Sequence, residues 1–407
     1  MRYLFAPFVH PPHNRPFPSQ LVLQFDDRMK EIGVVTTASV SSRPAVTLAQ
    51  PAPTVKAYAS AEAARWDAYV KAAPAATFCH LTGWLNVLTR TWGHRDYSLY
   101  AERQGRIVGV LPLMHVKSRV FGSMLISTPN AVYGGVVADD VTARAALLEA
   151  AARIAQELNV DFLELRDTPD AQQALPVDEN DPQYQPYHLQ DQLYVTFDHP
   201  IIADEEALLK TFPRDTRRMI RQGAKHNLVA TLERASALNE FYDVYATSVH
   251  HLGTPVFPKR LFAEFLREFP HECDILMIRQ DGKFAGAVLS FYFRNTVMPY
   301  YAGAYAPFYR TGINNFMYGE LMKLSAERGY TRFDFGRSKR GTGAYEFKRG
   351  WGMNERALPY RTLLVKAQQP PNLNPTNPKY KFMIDMWKRL PLGLTKLLGP
   401  PIVKYLP

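Results

Sequence analysis

The stretch FDFGRSKRGTGAYEFKRGWG, residues 333–352, carries five glycines and five basic residues among several aromatics. A phosphate-binding Walker loop would need a lysine where Thr342 stands, although Gly336 and Gly341 have the right spacing. A dinucleotide fingerprint would need a third glycine where Glu346 stands, after Gly341 and Gly343. Both readings fail at residues that do the chemistry. What remains is a loop whose glycines let backbone N–H groups approach a ligand. Arg337, Lys339, Arg340, Lys348 and Arg349 add positive charge, which suits a phosphate or a developing oxyanion. An ordinary basic surface turn fits the stretch equally well.

Candidate acid–base groups lie around this loop. Asp334 stands where an apolar residue would sit in a plain strand, so it either pairs with Arg337 or acts as a general base. His250, just before LGTPVFP, is the alternative base, set against a packed loop histidine. Ser338 and Thr342 have no histidine near them in sequence and are not expected to be nucleophiles, which favours direct transfer over a covalent intermediate. Ser338, Gly341, Gly343 and Phe347 are expected to contact substrate as parts of the loop. A second cationic element is PRDTRRMIRQGAKHN (213–227). At helical spacing Arg214, Arg217, Arg218 and Arg221 fall near one face, and Lys225 extends it. Like charges so placed repel, and a bound anion would relieve that cost; the plain reading is a solvated basic face. Tyr133-Gly134-Gly135 reads as one wall of an acceptor pocket or as a tight turn.

These residues need elements to position them. In 407 residues, 46% hydrophobic and 21% charged, two or three domains are expected. A net charge of +10 favours anionic partners without requiring nucleic acid. Two cysteines give neither a disulfide framework nor a zinc set, and no histidine spacing suggests a metal. No apolar run is long enough to span a bilayer. Residues 1–55, rich in Pro, Ser, Ala and Thr, read as a disordered leader, and residues 1–28 as a start-site artefact if Met29 is the true start. Helices are expected over 61–73 and 82–92, and strands over 96–102 and 106–116. A helix near 142–158 leads into VDFLELRD.

The second half repeats this order. ILMIRQDGKFAGAVLSF (275–291) echoes LYAERQGRIVGVLPL (99–113), and the helix at 314–329 leads into TRFDFGRS. Phe162 answers Phe333 and Arg166 answers Arg337. Two segments agreeing at similar spacing argue for a tandem duplication of one α/β unit. Helices, then a hairpin, then strand–helix–strand give an α+β fold with mostly antiparallel sheets and flanking helices. That order suits a duplicated GNAT-type acyltransferase fold, in which a helix N-terminus faces the donor's phosphates. In the second unit Arg310 and the Gly312 backbone are placed to meet an anion; the first unit's counterpart, NAVYGGVVADD, has no basic residue. The units are set at 56–195 and 196–366, followed by a basic tail at 367–407.

On these residues the chain resembles the FemAB-like family, and most of all its branch associated with exosortase/PEP-CTERM and exopolysaccharide clusters. The matching segments are VGVLPLMHV, the YGG at 133–135, RDTRRMIRQGAKHNL, HLGTPVFPKRLF, the 333–352 loop and the tail WKRLPLGLTKLLGPPIVKYLP. The resemblance implies a transferase that acylates an amine or hydroxyl on a peptidoglycan or exopolysaccharide precursor, lipid-linked precursors included. It gives Lys348, within Phe347-Lys348-Arg349-Gly350-Trp351-Gly352, the role of supporting the reacting carbonyl. It gives Met219-Ile220-Arg221, with Arg217 and Arg218, contact to substrate phosphates. The usual coenzyme A signature is missing; Arg310-Thr311-Gly312-Ile313-Asn314 echoes it in part. The long coiled-coil arm of tRNA-using relatives is absent as well. No cofactor is required, and the acyl donor stays open among aminoacyl-tRNA, acyl-CoA and acyl-carrier protein. Nucleic acid is a partner only if tRNA is that donor.

The alternative is a non-catalytic glycan- or phosphate-binding protein on the same fold. A cytoplasmic protein is expected. Phe382, Met383, Met386, Trp387 and Leu390 would form an apolar face, broken off by Pro391 and Pro400-Pro401, that docks on the body or settles on the inner membrane.

Overall fold

The first half opens with β1 (Thr54–Ala57), α1 (Ala63–Ala72) and α2 (Thr82–Trp92). It continues through β2 (Arg95–Asp96), β3 (Leu99–Arg103), β4 (Arg106–Leu111), β5 (Met114–Ser118), β6 (Gly122–Ile126) and β7 (Val137–Ala138). Then come α3 (Val141–Glu157), β8 (Phe162–Arg166), α4 (Pro169–Ala174) and β9 (Tyr187–Gln190). The second half runs β10 (Tyr194–Pro200), α5 (Glu205–Thr211), α6 (Arg214–Lys225), β11 (Leu228–Glu233), α7 (Leu238–Leu252) and α8 (Lys259–Glu268). It closes with β12 (Cys273–Gln280), β13 (Lys283–Phe293), β14 (Thr296–Ala304), α9 (Ile313–Glu327), β15 (Arg332–Asp334), β16 (Ser338–Lys339), α10 (Gly343–Arg349), β17 (Asn354–Ala357) and β18 (Tyr360–Leu364). The structure is a computed structural model and describes residues 51–119, 121–370 and 384–405. Most of the expected leader, the Met29 start, and Phe382 and Met383 lie outside the described residues.

The internal repeat is visible in backbone detail. Both hairpins turn on two residues of positive φ: Gln104-Gly105 (50° and 78°) and Asp281-Gly282 (48° and 77°). Such turns match the twist of the strands they join, and glycine takes the second position without strain. Each hairpin then shifts register on its first strand, at Ala101/Glu102 and at Ile278/Arg279. Phe162 and Phe333 hold the same place in each unit. Phe162 pairs in parallel with Met124, and Phe333 in parallel with Val297.

Three boundaries differ from the sequence reading. Thr54 and Val55, expected in the leader, pair with Glu102 and Ala101 in a sheet ordered β1-β3-β4-β7. The strand expected over 106–116 is two strands in different sheets, because Pro112 between them has no N–H to give a ladder. Residues 360–364, expected in the second unit, pair with the first unit's β8, from Tyr360 opposite Arg166 to Leu364 opposite Phe162. They complete a sheet ordered β2-β5-β6-β8-β18-β9. The second unit's sheet runs β11-β12-β13-β14-β15-β10-β16, with β17 also on β10.

Aromatic packing joins the halves. Phe78 stacks on Phe291 with centroids 4.5 Å apart, and Trp84 of α2 lies 4.8 Å from Phe265 of α8. All four are buried, and each contributes roughly 1.5–3 kcal/mol of burial free energy. Ala52 to Pro407 accordingly forms one compact unit.

A last helix spans Leu392–Val403. Pro400 and Pro401 lie inside its final turns instead of breaking it off; each takes one N–H donor from the ladder, and the helix ends soon after, at Val403. Its Thr395, Gly399 and Val403 are buried, and a Cβ on Gly399 would come 2.5 Å from the Val256 carbonyl. Lys396 pairs with Asp243 of α7 at 2.6 Å. The expected docking on the body is therefore made by this helix; Met386 of the expected face points outward. Among the described residues no helix is long and apolar enough to cross a membrane.

Candidate functional site

The glycine-rich loop folds into a turn and a short helix. Gly341 takes a positive φ (73°) in open space, and Thr342 caps α10 by accepting from the Tyr345 N–H. Gly341 and Gly343 therefore serve the turn and the helix start. The basic residues then part company. Arg340 pairs with Glu355 and Arg349 with Glu346 near the surface. Lys348 points inward and donates to three carbonyls: Phe335 at 2.6 Å, Gly336 at 3.0 Å and Arg337 at 3.3 Å. Burial pushes its pKa down to about 8; Asp334 opposes that fall and Arg337 assists it. Phe347 packs near Tyr318 and Trp351 and holds α10 against the body.

Lys348 lines a cavity of about 130 Å³ with Val132, Pro299, Tyr300, Ala302, Tyr318, Phe335, Gly336 and Arg337. Tyr300 sits at a register shift in β14, where Leu289 faces Tyr301 and Ser290 faces Pro299. A bulge re-aims side chains and tolerates a proline, and here it opens the strand toward Lys348. The Arg337 guanidinium lies over the Tyr194 ring at 4.9 Å and bonds to the Tyr360 hydroxyl. Burial works against its charge, but Tyr360, Tyr194, Tyr300 and Glu164 more than offset it and raise its pKa.

Asp334 does not pair with Arg337. Its carboxylate accepts from the Tyr133 hydroxyl at 2.7 Å, the Gly336 N–H at 2.8 Å and the Thr196 hydroxyl. All three donors are protein groups, so the buried carboxylate clamps the first half (Tyr133) to the second. Burial, then Asp334, raise the Tyr133 pKa and keep its phenol protonated. Tyr133 and Asp334 line a second, larger cavity of about 500 Å³ with Phe78, Phe293, Met298 and Arg294. Chain neighbours Val132, Pro299 and Phe335 line the smaller one. Strand alternation thus sets the two cavities on opposite faces of the β14–β15 pair.

The glycines after Tyr133 serve packing. A Cβ on Gly134 (φ 139°) would strike the Thr128 hydroxyl, and one on Gly135 would strike the Asp167 carboxylate. The Gly135 carbonyl accepts from His80 Nε2 at 3.1 Å, while His80 Nδ1 accepts from the Thr77 N–H at 3.0 Å. Burial pushes the His80 pKa down to about 4.

The cationic cluster forms a separate surface. Arg218 and Arg221 are exposed on α6, and Arg217 is half-buried beside them. Arg218 pairs with Asp215 at 3.5 Å; Arg217, Arg221 and Arg310 have no acidic partner among the described residues. α6 lies close on α9: a Cβ on Gly223 would come 2.5 Å from Phe316, and one on Gly312 2.6 Å from the Met219 carbonyl. Gln222 donates to the Arg310 carbonyl at 2.5 Å. Gly312 (φ 80°) stands at the N-cap of α9 and offers no side chain to the first-turn N–H groups. Arg217, Arg221, Arg310 and that helix end without a side-chain cap are thus set on one packed pair of elements.

Two expected residues fall away from this arrangement. His250 lies near the end of α7 and donates from Nε2 to the Leu390 carbonyl at 2.9 Å, tying down the C-terminal segment. It lines neither cavity; the bond it makes is to the backbone of the C-terminal segment. Ser338 is buried on β16 opposite Val195, with its hydroxyl bonded to nothing among the described residues. The tyrosine wall (Tyr194, Tyr300, Tyr318, Tyr360) went unread in the sequence. Those residues come from four separate segments and share no spacing.

Residues 210–349 match the family model described as an acetyltransferase (GNAT) domain. The match falls in the second half. The matched range includes α6, the start of α9, Asp334 and Lys348. The chain is similar in structure to FemX, at 15% identity and TM-score 0.62, over 81% of this chain and 100% of that one. A conserved protein of unknown function from Bacteroides thetaiotaomicron VPI-5482 follows at 11% identity and TM-score 0.52, over 77% and 99%. No curated protein matches the chain. At these identities the likeness is one of fold: a GNAT-type acyltransferase fold of mixed, mostly antiparallel sheets.

Proposed function

We propose that this protein is an acyl- or aminoacyltransferase of the FemAB/GNAT type, acting on an amine or hydroxyl of a cell-envelope precursor. The observation that carries the reading is Lys348, an ammonium drawn into an aromatic cavity at the seam of the two halves. With a pKa near 8 it is largely protonated at neutral pH. Its weakest bond, 3.3 Å to the Arg337 carbonyl, is the one to exchange for the oxygen of a reacting carbonyl. There it stabilises the oxyanion that forms as the acceptor attacks. Transfer is direct: the acceptor's nitrogen or oxygen bonds to the acyl carbon, the bond to the donor breaks, and the acceptor's proton leaves with the donor. Alignment of the two substrates contributes the rest of the rate.

The donor is any of three carriers, aminoacyl-tRNA, acyl-CoA or acyl-carrier protein, because each carries phosphate as well as the acyl group. Arg217, Arg218, Arg221, Arg310 and the end of α9 without a side-chain cap suit that phosphate. The exosortase/PEP-CTERM association and a peptidoglycan or exopolysaccharide acceptor extend the sequence resemblance. Mass spectrometry of envelope glycans and precursors from a deletion strain tests the reading. A missing acyl or aminoacyl group, restored by the wild-type gene and not by Lys348→Ala, is expected; an unchanged envelope overturns it.

The second reading is a non-catalytic glycan or phosphate binder. It is favoured by the same three carbonyls, which already accept all of the Lys348 protons. On that reading Lys348 only shapes the loop, and Lys348→Arg would restore full function.

A further inference from the structure

The helix Leu392–Val403 has two faces of different fate. Thr395, Gly399 and Val403 turn inward, against Val256 and α7. Leu394 and, one helical turn on, the adjacent Leu397 and Leu398 turn outward and are 39%, 71% and 40% exposed. Pro401 continues the same stripe and is exposed. The stripe is not isolated. Leu252, at the end of α7, is 56% exposed, and its neighbour Gly253 packs on Ile384 and Lys388. Met386 is also exposed in that segment.

Charge decides what such a face fits. From Ile384 to Tyr405 the described chain has Lys388, Arg389, Lys396 and Lys404 against one carboxylate, Asp385, and Lys396 is paired with Asp243 of α7. Lys388 and Arg389 are exposed. A second copy would bring like charge to like charge, in a chain that already carries +10. An anionic lipid surface brings the opposite charge and an apolar layer for the leucines. We infer that the outward face of the C-terminal helix, Leu394, Leu397 and Leu398 flanked by Lys388 and Arg389, docks this protein on anionic membrane lipid. The helix lies in the interface and does not span it. Both signals are needed, since three partly exposed leucines alone bind weakly and the basic pair alone is screened by salt. The inference does not depend on the transfer reaction, because docking is read without turnover.

The test is sedimentation of the full chain with vesicles of 30% phosphatidylglycerol in phosphatidylcholine, and with pure phosphatidylcholine. Wild type is expected to pellet with the anionic vesicles and to do so less at high salt. The variant Leu394→Ser/Leu397→Ser/Leu398→Ser should lose about tenfold in partitioning, and Lys388→Glu/Arg389→Glu a similar amount. The three leucines and Arg389 are exposed, while the Lys388 stem also packs at Gly253, so melting curves are taken for each variant; one that melts early is replaced by the single Leu397→Ser or Arg389→Glu. Equal binding by wild type and both variants, or none by wild type, overturns the inference. A concentration-dependent dimer lost in the leucine variant overturns it in favour of a second copy.

Discussion

The same helix begins in two different ways in the two halves. In the first, Asp140 caps α3: its carboxylate accepts from the Ala143 N–H at 2.9 Å and from Arg103 at 2.7 Å. Arg103, the nearest cation, holds that carboxyl well below the usual range. The helix end thus carries its own permanent anion, already neutralised. In the second half Gly312 caps α9 with no side chain, and Arg310 and the α6 arginines stand nearby. One copy of the duplicated unit carries an anionic cap at this helix end, and the other carries none. Hairpin turns, bulges and the parallel strand are shared, so the difference lies in a few side chains on equal scaffolds. The fold alone would not say which half binds a ligand.

The sharpest way to break this contrast is at Lys348, which has no partner role in the first half. Lys348→Ala should lower transfer by roughly 100- to 1000-fold, the usual cost of one oxyanion donor. It should also cost about 1–3 kcal/mol of stability, because the Phe335 and Gly336 carbonyls lose a charged donor. Complementation of a deletion strain and thermal melts check the two parts. Stability unchanged with activity lost would mean that the carbonyls find water instead.

Next in size is a carboxylate placed where the second half has none. Arg310→Glu and Arg221→Glu should each raise the donor's KM by about tenfold and flatten its salt dependence, while kcat changes less. Initial rates at several salt concentrations measure this. An unchanged KM would leave the α6–α9 surface as a solvated basic face.

The halves should also answer pH in different windows. The Lys348 pKa is lowered to about 8, so above that pH the folded protein holds fewer protons here than the unfolded chain. Transfer should therefore fall as pH rises through about 8, while this group's contribution to stability rises from there toward the ordinary lysine value. In the first half His80, lowered to about 4, is neutral when folded at pH values where the unfolded chain takes up a proton. Its contribution is whole above pH 6.5 and falls by up to ~3 kcal/mol as pH drops toward 4. A pH–rate profile and denaturant melts at pH 4.5 and 7, with His80→Gln as control, separate the two.

The smallest effect should come from removing the anionic cap. Asp140→Ala should cost about 1 kcal/mol of stability as a lost cap and leave transfer alone. A fall in transfer with stability unchanged would make α3 a second functional end.

How much of this was legible beforehand follows from what is local. The helix over 82–92 appeared as read, because its period and its closing glycine are written in adjacent residues. The repeat was legible because glycine turns and hairpin spacing survive divergence. Lys348 stood out through its motif, and its neighbours did not: Tyr300 and Tyr360 reach the site by a bulge and a strand exchange that no local pattern announces. Asp334 was correctly singled out as an odd charge on a strand, but its partners, Tyr133 and Thr196, lie far off in sequence. A histidine near a loop, such as His250, reads the same whether it meets a substrate or a carbonyl.

The exchanged strand β18 has a consequence for how the protein is made. The first half's sheet lacks an inner strand until residues 360–364 arrive, since β18 lies between β8 and β9. On a ribosome, β8 and β9 emerge long before their shared neighbour does. During that wait each exposes an unpaired edge, the kind of surface that recruits other chains. The first half cannot be finished as a free-standing product ahead of the second, as domains made in order usually are. Synthesis of the second half is therefore also the last step in folding the other one, and a truncated chain would be marked by an open sheet.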